Sequence, residues 1–156
     1  MESIVFFLEQ FVESNFKDSL IIRLPGLFGK GLKKNFIYDL IHDNCLHLTH
    51  RDSVFQFYDM SDLWDHINVC IKMDLKLVNF SPEPVTASEL AHQSADCEFT
   101  NVTDKPPVYY DMRSLYNHVF HADPSGEYMY PKQVVFNKIR QFIKQELIQK
   151  ENGAAK

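Results

Sequence analysis

Residues 19–35, Ser-Leu-Ile-Ile-Arg-Leu-Pro-Gly-Leu-Phe-Gly-Lys-Gly-Leu-Lys-Lys-Asn, constrain the fold more than any other stretch. Leu20, Ile21, Ile22 and Leu24 make a short, nearly continuous apolar run, which predicts a strand buried on both faces. Pro25 cannot donate to a ladder and Gly26 permits a turn with positive φ, so the strand is expected to end there. Gly29 and Gly31 allow the backbone to approach a ligand, and Lys30, Lys33 and Lys34 surround it with positive charge. In an open α/β sheet, ligands sit beyond the carboxyl ends of the strands, and a strand entering such a loop is the usual construction. The same residues also read as a polar strand-to-helix connection with solvated lysines. Spacing alone leaves both readings open.

The surrounding periodicities extend the pattern. Ile4, Phe7, Leu8, Phe11 and Val12 recur at helical spacing, with Glu9, Gln10 and Glu13 opposite, which predicts an amphipathic helix over residues 2–15. A second helix carries Phe36, Ile37, Leu40 and Ile41, and a polar loop with a short strand at residues 46–48 is expected after it. Residues 54–58 alternate as a strand, and Ser61 is placed to cap a helix bearing Leu63, Ile67, Cys70 and Ile71. Residues 75–80 read as another strand, and Thr86-Ala-Ser-Glu89 has capping-box spacing before a helix to about Ala95. Beyond Asp96 a short strand at residues 99–102 and a short helix at 111–120 are expected. Pro131 then opens a last helix with Val135, Ile139, Phe142, Ile143 and Leu147 on one face. Strand and helix alternate over the first hundred residues, as in an α/β fold.

Within that pattern, Ile21-Ile22-Arg23-Leu24-Pro25-Gly26-Leu27-Phe28-Gly29 resembles the loop after the sixth strand of extended short-chain dehydrogenases, the NAD-dependent epimerase/dehydratase family. Residues 55–63 (Phe-Gln-Phe-Tyr-Asp-Met-Ser-Asp-Leu), 77–80 (Leu-Val-Asn-Phe) and 83–86 (Glu-Pro-Val-Thr) resemble later stretches of that family, in family order. The resemblance spans roughly Ile4 to Leu90. It implies an α/β fold with an incomplete Rossmann-like parallel sheet and flanking helices, the substrate-side, carboxyl-terminal half of such an enzyme. It further implies NAD(P), with Leu24, Pro25, Gly26 and Leu27 near the nicotinamide end only when a complementing half is present. Lys33, Lys34 and Asn35, then Tyr58 and Asp59 with Asp62 nearby, occupy positions that face a nucleotide-linked sugar in the family. Arg113 is a further substrate-binding candidate.

Two absences bear on chemistry. No G-x-G-x-x-G follows a first strand, and no acid lies about twenty residues beyond a glycine loop to hold an adenosine ribose. The family's Tyr-x-x-x-Lys would fall at Met1 and Val5, which supply neither phenol nor ammonium. No catalytic residue is therefore assigned, and the isolated chain is expected to bind no dinucleotide. A literal Tyr-x-x-x-Lys at Tyr128 and Lys132 contains Pro131 and straddles a helix start. His47-x-x-His50 and His118-x-x-His121 supply two ligands each where zinc needs three or four, so no metal site is assigned. Cys97 with His92 lacks a third, orienting group.

At 156 residues, with 45% hydrophobic and 13% aromatic residues, the chain is long enough for one core. A single domain over residues 1–150 with a frayed tail at 151–156 is expected. The net charge of −5 argues against unspecific attraction to nucleic acid or anionic membrane. No apolar run approaches a membrane span, and the first residues lack the basic start of a secretory signal. Three cysteines, none in a C-x-x-C pair, fit a reducing cytoplasm. Two readings follow. One is the substrate-side half of an epimerase/dehydratase-like protein, paired with an amino-terminal nucleotide-binding half or with a second copy. The other is a non-enzymatic α/β module for ligand or protein binding on a degenerate dehydrogenase scaffold.

Overall fold

A computed structural model describes residues 4–120 and 126–154. The elements are α1 (Ile4–Asn15), β1 (Ile21–Arg23), β2 (Gly26–Phe28), α2 (Phe36–His42), β3 (Val54–Phe55), β4 (Phe57–Asp59), α3 (Leu63–Lys72), β5 (Leu77–Asn79), β6 (Val85–Thr86), α4 (Ala87–Ala95) and α5 (Lys132–Ala154). β1 pairs β5 and β2 pairs β4, both parallel, while β3 pairs β6 antiparallel. Helices α2, α4 and α5 pack together on the sheet, and the core runs through Phe28, Ile37, Val78, Phe80, Leu90 and Ile139.

The apolar run at residues 20–24 becomes a strand of only three residues, and it is not buried on both faces. Ile21 and Ile22 are half-buried and Arg23 is exposed. The reason is neighbour count: among the described residues, β1 has a partner on one side only. Pro25 does end β1, as expected, but Gly26 does not turn. It opens β2, which pairs with β4 instead of β5, so the chain steps sideways from one two-stranded sheet to another. Only glycine fits there, because a Cβ on Gly26 would lie 2.9 Å from the carbonyl oxygen of Gln56.

The strand expected at residues 54–58 is split at Gln56. Its buried amide donates to the carbonyls of Pro82 (2.7 Å) and Met112 (2.8 Å) and accepts from the Met112 N–H (2.6 Å). The ladder changes partner at this residue, with Val54 and Phe55 paired to β6 and Phe57 to Asp59 paired to β2. Residues 46–48 form a 3-10 turn instead of a strand, and no strand forms at 99–102. Of the helix expected at 111–120, only a 3-10 turn at Asn117–Phe120 exists.

Helix ends follow local chemistry more closely. Asn35 caps α2 by accepting from the N–H groups of Ile37 and Tyr38, at 3.0 and 3.2 Å. Ser61 does not cap α3. A 3-10 turn at Met60–Asp62 precedes that helix, and Asp59 accepts from the Ser61 N–H at 2.9 Å. Thr86 and Glu89 form the expected reciprocal capping box. Thr86→Ala should therefore lower stability by about 1 kcal/mol, read as a shift in urea midpoint with an unchanged m-value. In α5, Val135, Ile139, Phe142 and Ile143 are buried as expected, whereas Leu147 is exposed. The helix continues through Ala154, past the start of the tail expected to fray.

α1 departs furthest from its sequence pattern. Its apolar stripe, expected to seek the core, faces outward, and the helix has no buried residue. Its inward contact is polar: Arg23 donates to Glu9 from Nε at 2.9 Å and from Nη2 at 2.5 Å.

Candidate functional site

The side chains around the end of β1 enclose a cleft of about 560 Å³. Leu24, Pro25 and Gly26 form one side, where the chain steps from β1 to β2. Aromatic rings form the other: Phe55 stacks between Phe36 (6.1 Å between ring centres) and Tyr110 (6.3 Å), with Phe57 beside it. Asn35, Asp39, Thr49 and Gln56 are the polar residues that reach the cleft. An apolar cavity with a few polar groups, at the carboxyl end of a parallel strand, is the arrangement that binds small molecules in α/β sheets.

The expected site residues divide around this cleft. Leu24, Pro25, Gly26 and Asn35 are brought together in its wall. Leu27 is next to them, its carbonyl accepting from the Asn35 amide at 2.8 Å. Asn35 uses both ends of its side chain in the fold and so shapes the wall. Lys33 and Lys34 are exposed and do not line the cleft. Asp59 borders a different depression of about 450 Å³ with Lys30 and Lys138. Arg113 is exposed and does not line the cleft, although it follows Met112, which does; it is paired with Asp111 at 3.0 Å and Glu127 at 2.8 Å. The sequence reading missed the aromatic wall. Phe55 and Phe57 carry a signal, since alternate strand residues share a face. Tyr110 and Met112 carry none, because they arrive from a distant irregular segment.

Tyr58 is fully buried, in a polar network beneath the sheet. Its hydroxyl is 2.7 Å from His66 Nδ1, and Tyr130 bonds to Asp62 at 2.6 Å with His66 Nε2 at 3.3 Å. Lys138 completes the network at 2.8 Å from Asp62. Tyr130 gives its one proton to Asp62, so His66 Nε2–H donates to Tyr130 and Nδ1 accepts from Tyr58. That assignment needs a neutral imidazole. Burial holds His66 below its ordinary value of 6.5, opposed by Asp62 and Asp65 and reinforced by Lys138. Burial pushes the Asp62 carboxyl up, but the hydrogen bonds from Lys138 and Tyr130 outweigh it and hold it low. Burial, followed by the Asp62 bond, raises the Tyr130 phenol, and burial raises Tyr58.

The sign of the resulting pH dependence follows. The unfolded chain takes up the His66 proton at its ordinary value and the folded chain only at lower pH. Stability is therefore full above about 7 and declines as pH falls through 6.5 and below. His66→Gln should flatten the fall in melting temperature between about pH 7.5 and 5.5. An unchanged slope would assign it to other groups.

The remaining constellations are engaged in the fold. Tyr128 bonds to Asp111 at 2.7 Å, while Lys132 bonds to Glu89 at 3.2 Å, so this Tyr-x-x-x-Lys pair is turned to different carboxylates. His50 Nδ1 accepts from the Asp52 N–H at 3.1 Å. Cys97 bonds to the Glu98 carbonyl at 3.7 Å and His92 lies 3.2 Å from the Gln93 amide. Among the described residues, no group of three or more His, Cys, Asp or Glu is placed to hold a metal; His121 lies outside them. No described helix is long and apolar enough to cross a membrane.

Comparison with solved structures decides the architecture. The chain matches dTDP-glucose 4,6-dehydratase from Bacillus anthracis, solved in complex with NAD, at a TM-score of 0.64 and 13% identity over 94% of this chain. It matches UDP-N-acetylglucosamine 4-epimerase from Methanobrevibacter ruminantium, in complex with UDP-N-acetylmuramic acid, at a TM-score of 0.60 and 12% identity over 92% of this chain. The fold is that of the extended short-chain dehydrogenases. A UDP-galactose 4-epimerase matches as well, at a TM-score of 0.60 and 10% identity over 92% of this chain. In this Rossmann-like fold the chain spans about half the length of its neighbours: 50%, 51% and 50% of those three chains. No protein-family model matches the sequence, and no curated protein matches it.

Proposed function

We propose that the chain is the substrate-side, carboxyl-terminal half of an NAD-dependent nucleotide-sugar epimerase/dehydratase-like protein, and that it is not catalytic alone. The observation that carries this reading is the cleft at the end of β1, where Leu24, Pro25 and Gly26 face an aromatic wall, together with a dehydrogenase fold of half length. The stacked rings accept a planar or weakly polar ligand surface, and Lys33 and Lys34, exposed outside the cleft lining, offer positive charge to phosphates that extend beyond it. Tyr58 and Asp59 act from outside the cleft lining, Tyr58 by fixing His66 and Asp59 by capping the 3-10 turn before α3; Arg113 would meet a ligand that extends past Met112. The setting is cytoplasmic, in keeping with three free cysteines.

The dinucleotide does not fit these residues by themselves. Gly26 is required by the Gln56 carbonyl against which it packs, not by an approaching phosphate. The 156 residues supply no glycine-rich phosphate turn and no ribose-binding acid. No step is therefore routed through NAD(P) here.

Titration of the isolated chain with UDP-galactose and with dTDP-glucose, followed by amide NMR, tests the reading. Amide shifts clustering at residues 24, 26, 36 and 55–57 are expected. Lys33→Ala with Lys34→Ala should weaken binding several-fold at unchanged melting temperature, as for exposed side chains. A folded chain that binds neither nucleotide sugar would overturn this reading in favour of a non-enzymatic interaction module.

A further inference from the structure

We infer that Asp39 makes the cleft selective for a nucleobase that carries an exocyclic amino group, cytosine or guanine, over uracil or thymine. The inference rests on the nucleotide-sugar reading above and names the base that such a ligand carries.

The carboxylate is placed by local structure. Asn35 caps α2, and the Asp39 N–H donates to the Asn35 carbonyl at 3.0 Å, closing the first turn. Residues three apart share a helix face. Asp39 therefore stands beside Phe36, and both line the cleft. Asp39 is half-buried, and its Oδ1 accepts from the Asn44 amide at 2.9 Å, which anchors the side chain. Among the described residues it has no cationic partner, and Oδ2 is unengaged.

The balance of the lining decides what enters. Among the described residues, Asp39 is the one charged group in the cleft wall. Asn35 and Gln56 spend both ends of their amides on the fold. The Thr49 and Tyr110 hydroxyls, which can donate or accept, have no partner among the described residues. The cleft thus offers more acceptor than donor capacity, and a negative charge. A phosphate inside it would face Asp39 with no compensating cation, and like charges brought together in a site cost several kcal/mol. The phosphates of a nucleotide sugar belong outside, where Lys33 and Lys34 are exposed. What enters is neutral, flat and equipped with donors.

A base meets that description, and its edge decides the affinity. Phe36, Phe55 and Tyr110 present near-parallel rings, with 19° and 25° between successive planes. Stacking on such a wall tolerates any base, because every base has a π-face. A carboxylate is less tolerant. It accepts from the N4 amino group of cytosine. Guanine sets its N2 amino group beside N1–H, two donors side by side for two carboxylate oxygens. Each oxygen has two lone pairs, so the Asn44 bond leaves room for them. Uracil and thymine hold one N–H between two carbonyl oxygens, which sets oxygen against oxygen at Asp39. Selectivity therefore has an attractive and a repulsive part.

The test titrates the 156-residue chain with GDP-glucose, CDP-glucose, UDP-glucose and dTDP-glucose, which share the hexose and differ in the nucleoside, and reads amide NMR. GDP-glucose and CDP-glucose should bind about tenfold or more tighter than the other two, whose weaker binding stays measurable. Their shifts should include the Asp39 and Thr49 amides. Asp39→Asn keeps the shape but exchanges an acceptor for a donor, and should abolish the preference. Its melting temperature separates a lost contact from a lost fold, and the four-ligand series on the unaltered chain decides even where the variant is unstable. Equal affinities for all four would overturn the inference and leave the nucleotide-sugar reading standing. So would an unchanged preference in a folded Asp39→Asn chain. Binding of none of the four would overturn both.

Discussion

Replacing Phe80 by Ala should lower the free energy of unfolding by about 3–5 kcal/mol. Phe80 follows β5 and is fully buried, its ring centre 5.2 Å from Tyr58, 5.7 Å from His66 and 5.3 Å from Phe120. Removing the ring loses its own transfer free energy and leaves a cavity that these neighbours cannot close. Tyr58 and His66 are held by hydrogen bonds to each other and onward to Tyr130. A domain of this size has only about 5–15 kcal/mol of stability in total. Urea denaturation should therefore show a large fall in midpoint. Phe80→Leu, which refills most of the volume, should cost about 1–1.5 kcal/mol. A loss below about 1 kcal/mol for the Ala variant would mean that Tyr58, His66 and Phe120 move in to close the cavity.

Gln56→Ala should cost about 2–4 kcal/mol, by a different route. Its amide is buried and makes three bonds, to the carbonyls of Pro82 and Met112 and from the Met112 N–H. Alanine leaves those backbone groups without a partner, and each unpaired buried group carries a desolvation cost. The effect extends to the cleft, because Gln56 ties the segment carrying Tyr110 and Met112 against β4. The same variant should therefore speed hydrogen exchange at the Met112 amide and weaken any ligand held against the aromatic wall. If stability falls and exchange at Met112 stays slow, water has replaced the side chain and Gln56 is not the tether.

The cleft was only partly legible in the sequence. Leu24, Pro25 and Gly26 were marked by their own residue types, a proline and a glycine ending an apolar run, whereas Asn35 entered only through the family resemblance and its capping role is a structural finding. Their bond geometry is decided within a few residues of each. Lys33 and Lys34 looked equally suitable, but charge does not fix direction, and both stand at the surface away from the cleft lining. Tyr58 sits on a strand with the alternation of its neighbours, yet period two assigns it only to one of two faces. The half-buried His66 ring decided which.

The sequence alone determined the elements whose stabilisation is local. The Thr86–Glu89 capping box, the buried stripe of α5 from Val135 to Ile143 and the β5 strand all follow from groups within one or two helical turns or one strand. It also carried four short stretches in dehydrogenase order, and the solved structures bear out that fold. Tertiary structure alone decided the sideways step at Gly26, the break at Gln56 and the outward turn of α1. Each is set by a partner outside the local stretch: the Gln56 carbonyl against Gly26, β6 and β2 on the two sides of Gln56, Arg23 against Glu9. Periodicity records which residues share a face, and only the contacts assembled by folding decide whether that face meets a core, a cleft or the outside.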